Sequence, residues 1–225
     1  ARKIGKAAAL TNGAVMIDPA SGTITGGGIF DGNWNPAPYR LFFAAKVDVA
    51  PAGFGTWHGE ESADGVTSAR VEKREGLGAW LRFDTRASRV VLLKIAVSFT
   101  SVERARQWLD SEIPAWDLGA LQATAERAWD EALAAITVDG MPEEEQRLFY
   151  SHLFHTLVQP RDRTGDADGW PVDAPCWDDH YTLWDTWKTL FPLMAIVRPD
   201  VVSGNVRSFT ERLHRNGQCA AAFIQ

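Results

Sequence analysis

Near residue 100 the hydrophobic period of this chain changes from two to 3.6, and that switch restricts its folds more than any other feature. Up to that point, short alternating or apolar runs are separated by glycine-rich turns. Ala14-Val15-Met16-Ile17, Tyr39 through Val49, Ala79 through Phe83 and Arg89 through Phe99 are the strongest strand candidates. Asn12-Gly13, Ser21-Gly22 and Gly26-Gly27-Gly28 are read as the punctuation between strands. Many short strands at this spacing, with no helices between them, predict an antiparallel β-sandwich rather than a parallel sheet.

Beyond the switch the signals are helical. Thr100-Ser101-Val102-Glu103 has the form of a capping box opening a helix through Trp108. Asp117 caps a second helix, whose stripe is Leu118, Leu121, Ala125, Trp129, Ala132, Leu133 and Ile136. Pro142 followed by Glu143, Glu144 and Glu145 starts a third, with negative charge at its positive dipole end, carrying Leu148, Phe149, His152, Leu153, Thr156 and Leu157 as far as Pro160. A long Asp/Gly/Pro-rich segment runs from Arg161 to His180, and segments of that length in compact domains are often functional. One helix should then run from Tyr181-Thr182-Leu183-Trp184 until just before Pro199. Another follows, with Val201, Val202, Val206, Phe209 and Leu213 as its apolar face and Asn216-Gly217 as its stop. The expected division is residues 1–100 as a β-sandwich, 101–140 as a helical linker and 141–225 as the start of a second, helical domain.

Charge and composition narrow the ligand. The formal net charge is -6 and no Lys/Arg block interrupts it, which argues against nucleic acid or an acidic membrane as partner. No apolar run approaches a membrane span, and Ala1-Arg2-Lys3-Ile4 does not begin a secretory signal. Cys176 and Cys219 have no metal-ligand spacing and are either free thiols or one bridge. The chain has no initiating Met and stops at Gln225 without a terminating feature, so it reads as a piece of a longer protein. Ten tryptophans against three tyrosines supply many flat apolar faces, which suits a neutral, hydroxyl-rich ligand.

Tyr181-Thr182-Leu183-Trp184-Asp185-Thr186-Trp187 concentrates that chemistry. Trp184 and Trp187, three apart, share a side of a helix, and Asp185 accepts hydrogen bonds from hydroxyl groups. An indole with a nearby carboxylate matches a pyranose, which has an apolar face and a rim of donors. The competing reading packs both indoles between helices and leaves Asp185 to favour the first turn.

Four segments in order resemble glycoside hydrolase family 92, the calcium-dependent exo-α-mannosidases. They are Val97-Ser98-Phe99-Thr100-Ser101-Val102-Glu103-Arg104-Ala105, Phe149-Tyr150-Ser151-His152-Leu153-Phe154-His155-Thr156, Asp166-Ala167-Asp168-Gly169 and Tyr181 through Leu193. The resemblance implies a β-sandwich followed by an (α/α)6 toroid, of which 141–225 supplies the first helices, with the active site between them. It also implies inversion by two carboxylates about 6.5–9.5 Å apart around a bound calcium. Those carboxylates and the calcium ligands are expected beyond Gln225, so no catalytic residue and no metal ligand is assigned here. Substrate contacts carry over to Trp184 and Asp185, and to a Phe-Gly pair on a β-domain loop, matched by Phe54 and Gly55 within Gly53-Phe54-Gly55-Thr56-Trp57. Glycines beside Phe54 would let backbone approach a ligand.

The implied partner is a mannose-containing glycan, and an extracellular or periplasmic location is favoured. Oligomeric state and linkage stay open. Where the family usually carries a Gly-x-Leu-Pro-x-Trp-like segment, this chain reads Arg215-Asn216-Gly217-Gln218-Cys219-Ala220, so the leaving-group side can differ and mannosyl phosphodiesters stay in view.

Two other readings compete: a carbohydrate-binding module without chemistry, and a sandwich-plus-toroid enzyme acting on another glycoside. His152 and His155 have a metal-like i, i+3 spacing but no third ligand, and Asp166 and Asp168 do not fit a calcium-loop register.

Overall fold

The computed structural model describes residues 9–31, 38–72, 75–86 and 89–218. Two compact units divide the chain, Ala1–Trp116 and Asp117–Gln225. The first contains eight antiparallel strands among its described residues: β1 Leu10–Asp18, β2 Thr23–Phe30, β3 Tyr39–Val47, β4 Gly53–His58, β5 Glu61–Asp64, β6 Ser68–Val71, β7 Leu77–Arg82 and β8 Leu93–Ser98. They form a five-stranded sheet in the order β6-β1-β2-β3-β8 and a three-stranded sheet in the order β5-β4-β7. A cavity of about 670 Å³ lies between them, lined by Val15, Ile24 and Phe43 from the larger sheet and by Trp57, Leu77 and Ala79 from the smaller. The expected sandwich is therefore present.

The turn at Ser21-Gly22 forms as expected. Gly22 has φ +64°, and the Asp18 carboxylate accepts from the Ala20 amide and the Ser21 hydroxyl. The other two glycine signals lie inside strands. Gly13 is in β1, and Gly26, Gly27 and Gly28 are in the middle of β2, opposite Phe43, Phe42 and Leu41. A Cβ on Gly26 would sit 2.8 Å from the Phe43 ring, and one on Gly27 would meet Phe42. These glycines leave room for side chains from the next strand, a use that glycine content alone does not distinguish from a turn.

The segment 101–140, expected as a linker, is split between the units. α1 (Val102–Glu112) packs Ala105 and Leu109 onto Ala44 and Ala96 of β3 and β8. Its cap is Ser101, whose hydroxyl accepts from the Arg104 amide, rather than Thr100. Buried Lys94 donates to the Ile113 carbonyl at the end of this helix and lies 4.7 Å from the Trp116 ring.

The second unit begins as read from sequence. Asp117 caps α2 (Leu118–Leu133) by accepting from the Ala120 amide, and Trp129 meets Phe154 of α3 (Glu143–Leu157) with ring centres 4.6 Å apart. The rest of the unit is a two-residue ladder of β9 (Arg161–Asp162) and β10 (Trp177–Asp178), then α4 (Leu183–Thr186), α5 (Leu190–Val197) and α6 (Pro199–Asn216). Gly217 ends α6 at φ +69°, donating its amide to Leu213.

Two helical expectations are corrected. The single helix expected from Tyr181 to Pro199 is broken into α4 and α5. Pro192 has no amide to give the Lys188 carbonyl, so the helix restarts at Leu190 with Pro192 in its first turn. On α6 the buried residues are Val201, Asn205, Ser208 and Arg212, while Val206 and Leu213 of the expected apolar face are exposed.

Candidate functional site

The Trp184–Asp185 turn is built by Thr182. Its carbonyl accepts from the amides of Asp185 and Thr186 and from the Thr186 hydroxyl, and its own hydroxyl donates to the Asp185 carboxylate. Farther along, the Thr189 hydroxyl donates to the Asp185 carbonyl. Buried Thr186 anchors this turn from beneath, while Trp184 is 66% exposed and Trp187 is 59% exposed. Both indoles are exposed among the described residues of this chain. Trp187 already carries the Lys188 ammonium over its ring at 4.7 Å, so Trp184 is the more available face. Asp185 is exposed among the described residues, with one carboxylate oxygen taken by Thr182.

Just before this turn lies a buried polar assembly. Asp178 is 4% exposed and receives Arg163 Nη1 on one oxygen and Arg212 Nη2 on the other, each at 3.1 Å. Burial pushes the Asp178 carboxyl upward, and the Arg212 and Arg163 guanidiniums pull against it. Ser208 bonds both the amide and the carbonyl of Trp177, at 3.0 and 3.2 Å. Asp179 and Tyr181 adopt φ values of +55° and +54°, the left-handed region that few non-glycine residues occupy. Between them His180 is fully buried, edge-on to Phe209 with ring centres 4.9 Å apart. Burial first, then the Arg212 charge, lowers the His180 pKa. Neither of its ring nitrogens has a hydrogen-bond partner among the described residues.

The sequence signal for this assembly is a polar face on α6. Val201, Asn205, Ser208 and Arg212 recur at i, i+4, i+7 and i+11, a single helical face on which three of four residues are polar. A polar face opposite a long Asp-rich loop is the pattern of a helix that binds a loop rather than a core.

Phe54 and Gly55 lie on β4, the central strand of the three-stranded sheet, and not on a loop as expected. Gly55 pairs with Trp80, and Gly78 pairs with Trp57, on the same ladder. A Cβ on Gly55 would be 2.5 Å from the Trp80 indole, and one on Gly78 would overlap that of Trp57. Each indole fills the hollow left by the glycine opposite, so Gly55 has a packing reason where ligand approach was expected. Trp80 also donates to the Ser62 hydroxyl. Phe54, one residue away, projects to the other face of the strand and is half-buried.

Among the described residues no group of three or more His, Cys, Asp or Glu side chains converges to hold a metal. His152 and His155 are exposed, with ring centres 6.5 Å apart. Cys176 is a buried free thiol raised in pKa chiefly by burial, and Cys219 lies outside the described residues. No described helix is long and apolar enough to cross a membrane.

Comparison with known proteins agrees with this architecture at both ends. Residues 104–222 match the model of the glycosyl hydrolase family 92 catalytic domain, and residues 2–98 match that of the family's N-terminal domain. An inverting mannosidase of the family from Bacteroides thetaiotaomicron VPI-5482 superimposes with a TM-score of 0.85 at 22% identity, over 95% of this chain and 30% of that one. A family 92 alpha-mannosidase from Bacteroides thetaiotaomicron, also solved in complex with mannoimidazole, gives 0.81 at 20% identity, over 96% of this chain. An uncharacterized secreted glycosidase of Arthroderma benhamiae is 25% identical over 189 residues, 79% of this chain and 24% of its own length. The chain thus spans 24–31% of the length of these relatives. With an antiparallel β unit matching one family domain and a helical unit matching the other, the chain belongs to glycosyl hydrolase family 92.

Proposed function

We propose that the protein containing this chain is an exo-acting glycoside hydrolase that removes terminal α-linked mannose, inverting the anomeric centre with the help of calcium. The observation that carries the substrate reading is the Trp184–Asp185 turn, where an exposed indole stands beside a carboxylate already oriented by Thr182. Such a pair offers an apolar face to the pyranose ring and an acceptor to its hydroxyls. Family membership and the mannosidases among the structural neighbours support the same reading. Phe54 and Gly55 enter this proposal on the resemblance alone, since the hollow at Gly55 is filled by the Trp80 indole. No general acid, general base or calcium ligand is assigned to a residue of this chain in the proposal. A location outside the cytoplasm is supported by the relative described as secreted.

The decisive experiment assays the full-length protein against α-mannosides, α-glucosides and mannosyl phosphates, with and without a calcium chelator. Release of mannose that stops on chelation and returns with calcium is the expected result. Calcium-independent turnover of a glucoside would overturn the proposal in favour of another sandwich-plus-toroid enzyme. Binding without turnover of any substrate would leave a carbohydrate-binding module.

A further inference from the structure

Arg212 reaches more of the segment leading to the Trp184–Asp185 turn than any other side chain described above. Its Nη2 donates to the Trp177 carbonyl at 3.2 Å and to the Asp178 carboxylate at 3.1 Å. Its guanidinium carbon lies 5.2 Å from the centre of the Trp170 ring. Trp170 in turn closes the middle of the loop, donating its indole N–H to the Ala174 and Pro175 carbonyls. One buried guanidinium thus fixes the loop both at its midpoint, Trp170, and at its end, residues 177 and 178. Arg163, at the start of the loop, bonds the same Asp178, and Arg215 holds the Gly169 carbonyl.

Only three residues, Asp179 to Tyr181, separate that anchor from Thr182, and their path is narrow. Two of the three stand at positive φ, and the third, His180, is buried against Phe209 of the helix that carries Arg212. A chain so constrained transmits the position of residue 178 to Thr182, whose carbonyl starts the turn. We propose that Arg212 is a positioning residue, which sets the Trp184–Asp185 turn through Trp177 and Asp178 without touching the ligand. The substrate part of this statement rests on the mannoside reading above; the placement of the turn does not.

A lysine keeps the charge but has neither the planar fork that reaches carbonyl and carboxylate together nor the flat surface against Trp170. The test uses the full-length protein labelled with 5-fluorotryptophan, comparing wild type with Arg212→Lys and assigning the Trp184 resonance through Trp184→Phe. The expected result is a displaced or broadened Trp184 resonance, with those of Trp57 and Trp80 in the β unit unchanged. On a methyl or nitrophenyl α-mannoside, KM rises about tenfold and kcat changes less than about twofold, as for loss of a contact made equally in ground and transition states. A residue needed only for folding would lower the active fraction, and so apparent kcat, while leaving KM alone. Should Arg212→Lys fail to fold, Ser208→Ala removes one anchor of Trp177 and should move the Trp184 resonance the same way, by less. A Trp184 resonance at its wild-type position in a folded variant, with only Trp170 and Trp177 displaced, would overturn the proposal. A displaced resonance with mannoside turnover untouched would support the positioning role and count against the mannoside reading instead.

Discussion

Replacing Gly204 by alanine should destabilise this protein, although the same change in an ordinary helix stabilises it. Gly204 lies inside α6, where alanine is favoured over glycine by about 1 kcal/mol. A Cβ there would stand 2.8 Å from Cε2 and 2.9 Å from Cδ1 of Trp177, and closer still to the indole nitrogen. The indole has little room to retreat, because the Trp177 amide and carbonyl are held by Ser208 and the carbonyl again by Arg212. Overpacking against a fixed neighbour costs about 1–3 kcal/mol, and loosening these bonds places the cost toward the upper end. After subtracting the propensity gain, the net effect is about 1–2 kcal/mol of lost stability. Gly119 of α2 is the control, since a Cβ there would meet only the Asp117 carboxylate at 3.4 Å. Gly119→Ala should be neutral or stabilising by up to about 1 kcal/mol. Thermal unfolding by near-ultraviolet circular dichroism would compare the two, and hydrogen exchange at the α6 amides would localise the loss. Pairing Gly204→Ala with Trp177→Leu supplies a double-mutant cycle, in which the smaller side chain should recover part of the helix gain. Gly204→Ala at or above wild-type stability would refute the close approach of Trp177 to α6.

Three further outcomes are expected. In the full-length protein, Asp185→Ala should lower kcat/KM on α-mannosides by about 5- to 150-fold, equivalent to about 1–3 kcal/mol of transition-state binding; unchanged kcat/KM in a folded variant would remove Asp185 from the substrate site. Because the folded state lowers the His180 pKa below its ordinary 6.5, the unfolded chain binds the extra proton first as pH falls. Stability is therefore lost progressively as pH drops below 6.5 toward the folded pKa, with a slope of at most about 1.4 kcal/mol per pH unit from this residue, and comparison of denaturation midpoints should show that part of the slope missing in His180→Phe. Gly55→Ala should destabilise the β unit by about 1–3 kcal/mol through clashes with the Ala63 carbonyl and the Trp80 indole, and denaturant unfolding of Gly55→Ala against the milder Trp80→Phe should show it.

Much of the fold was legible because the relevant signals are local. The caps at Asp117 and Gly217, the turn at Ser21-Gly22 and the change of period near residue 100 each depend on a few adjacent residues. The break between α4 and α5 was equally local, and follows from the missing amide of Pro192. By contrast the role of Gly26, Gly27 and Gly28 is not local, because it is set by Phe42 and Phe43 on another strand. The buried face of α6 departs from the apolar pattern because its partners, Trp177 and Asp178, come from a distant loop.

The candidate site divides the same way. Composition and order of residues alone point to Trp184 and Asp185, since an indole beside a carboxylate is chemistry written into neighbouring positions. Sequence also determined the two-part architecture, because period two and period 3.6 cannot be exchanged without turning side chains to the wrong face. Tertiary structure alone decided that Gly55 lies beneath Trp80 and that Arg212 grips Trp177 and Asp178 from 35 and 34 residues away. Those contacts join segments that share no local pattern, and a buried guanidinium finds its carboxylate only once the helix and the loop have packed.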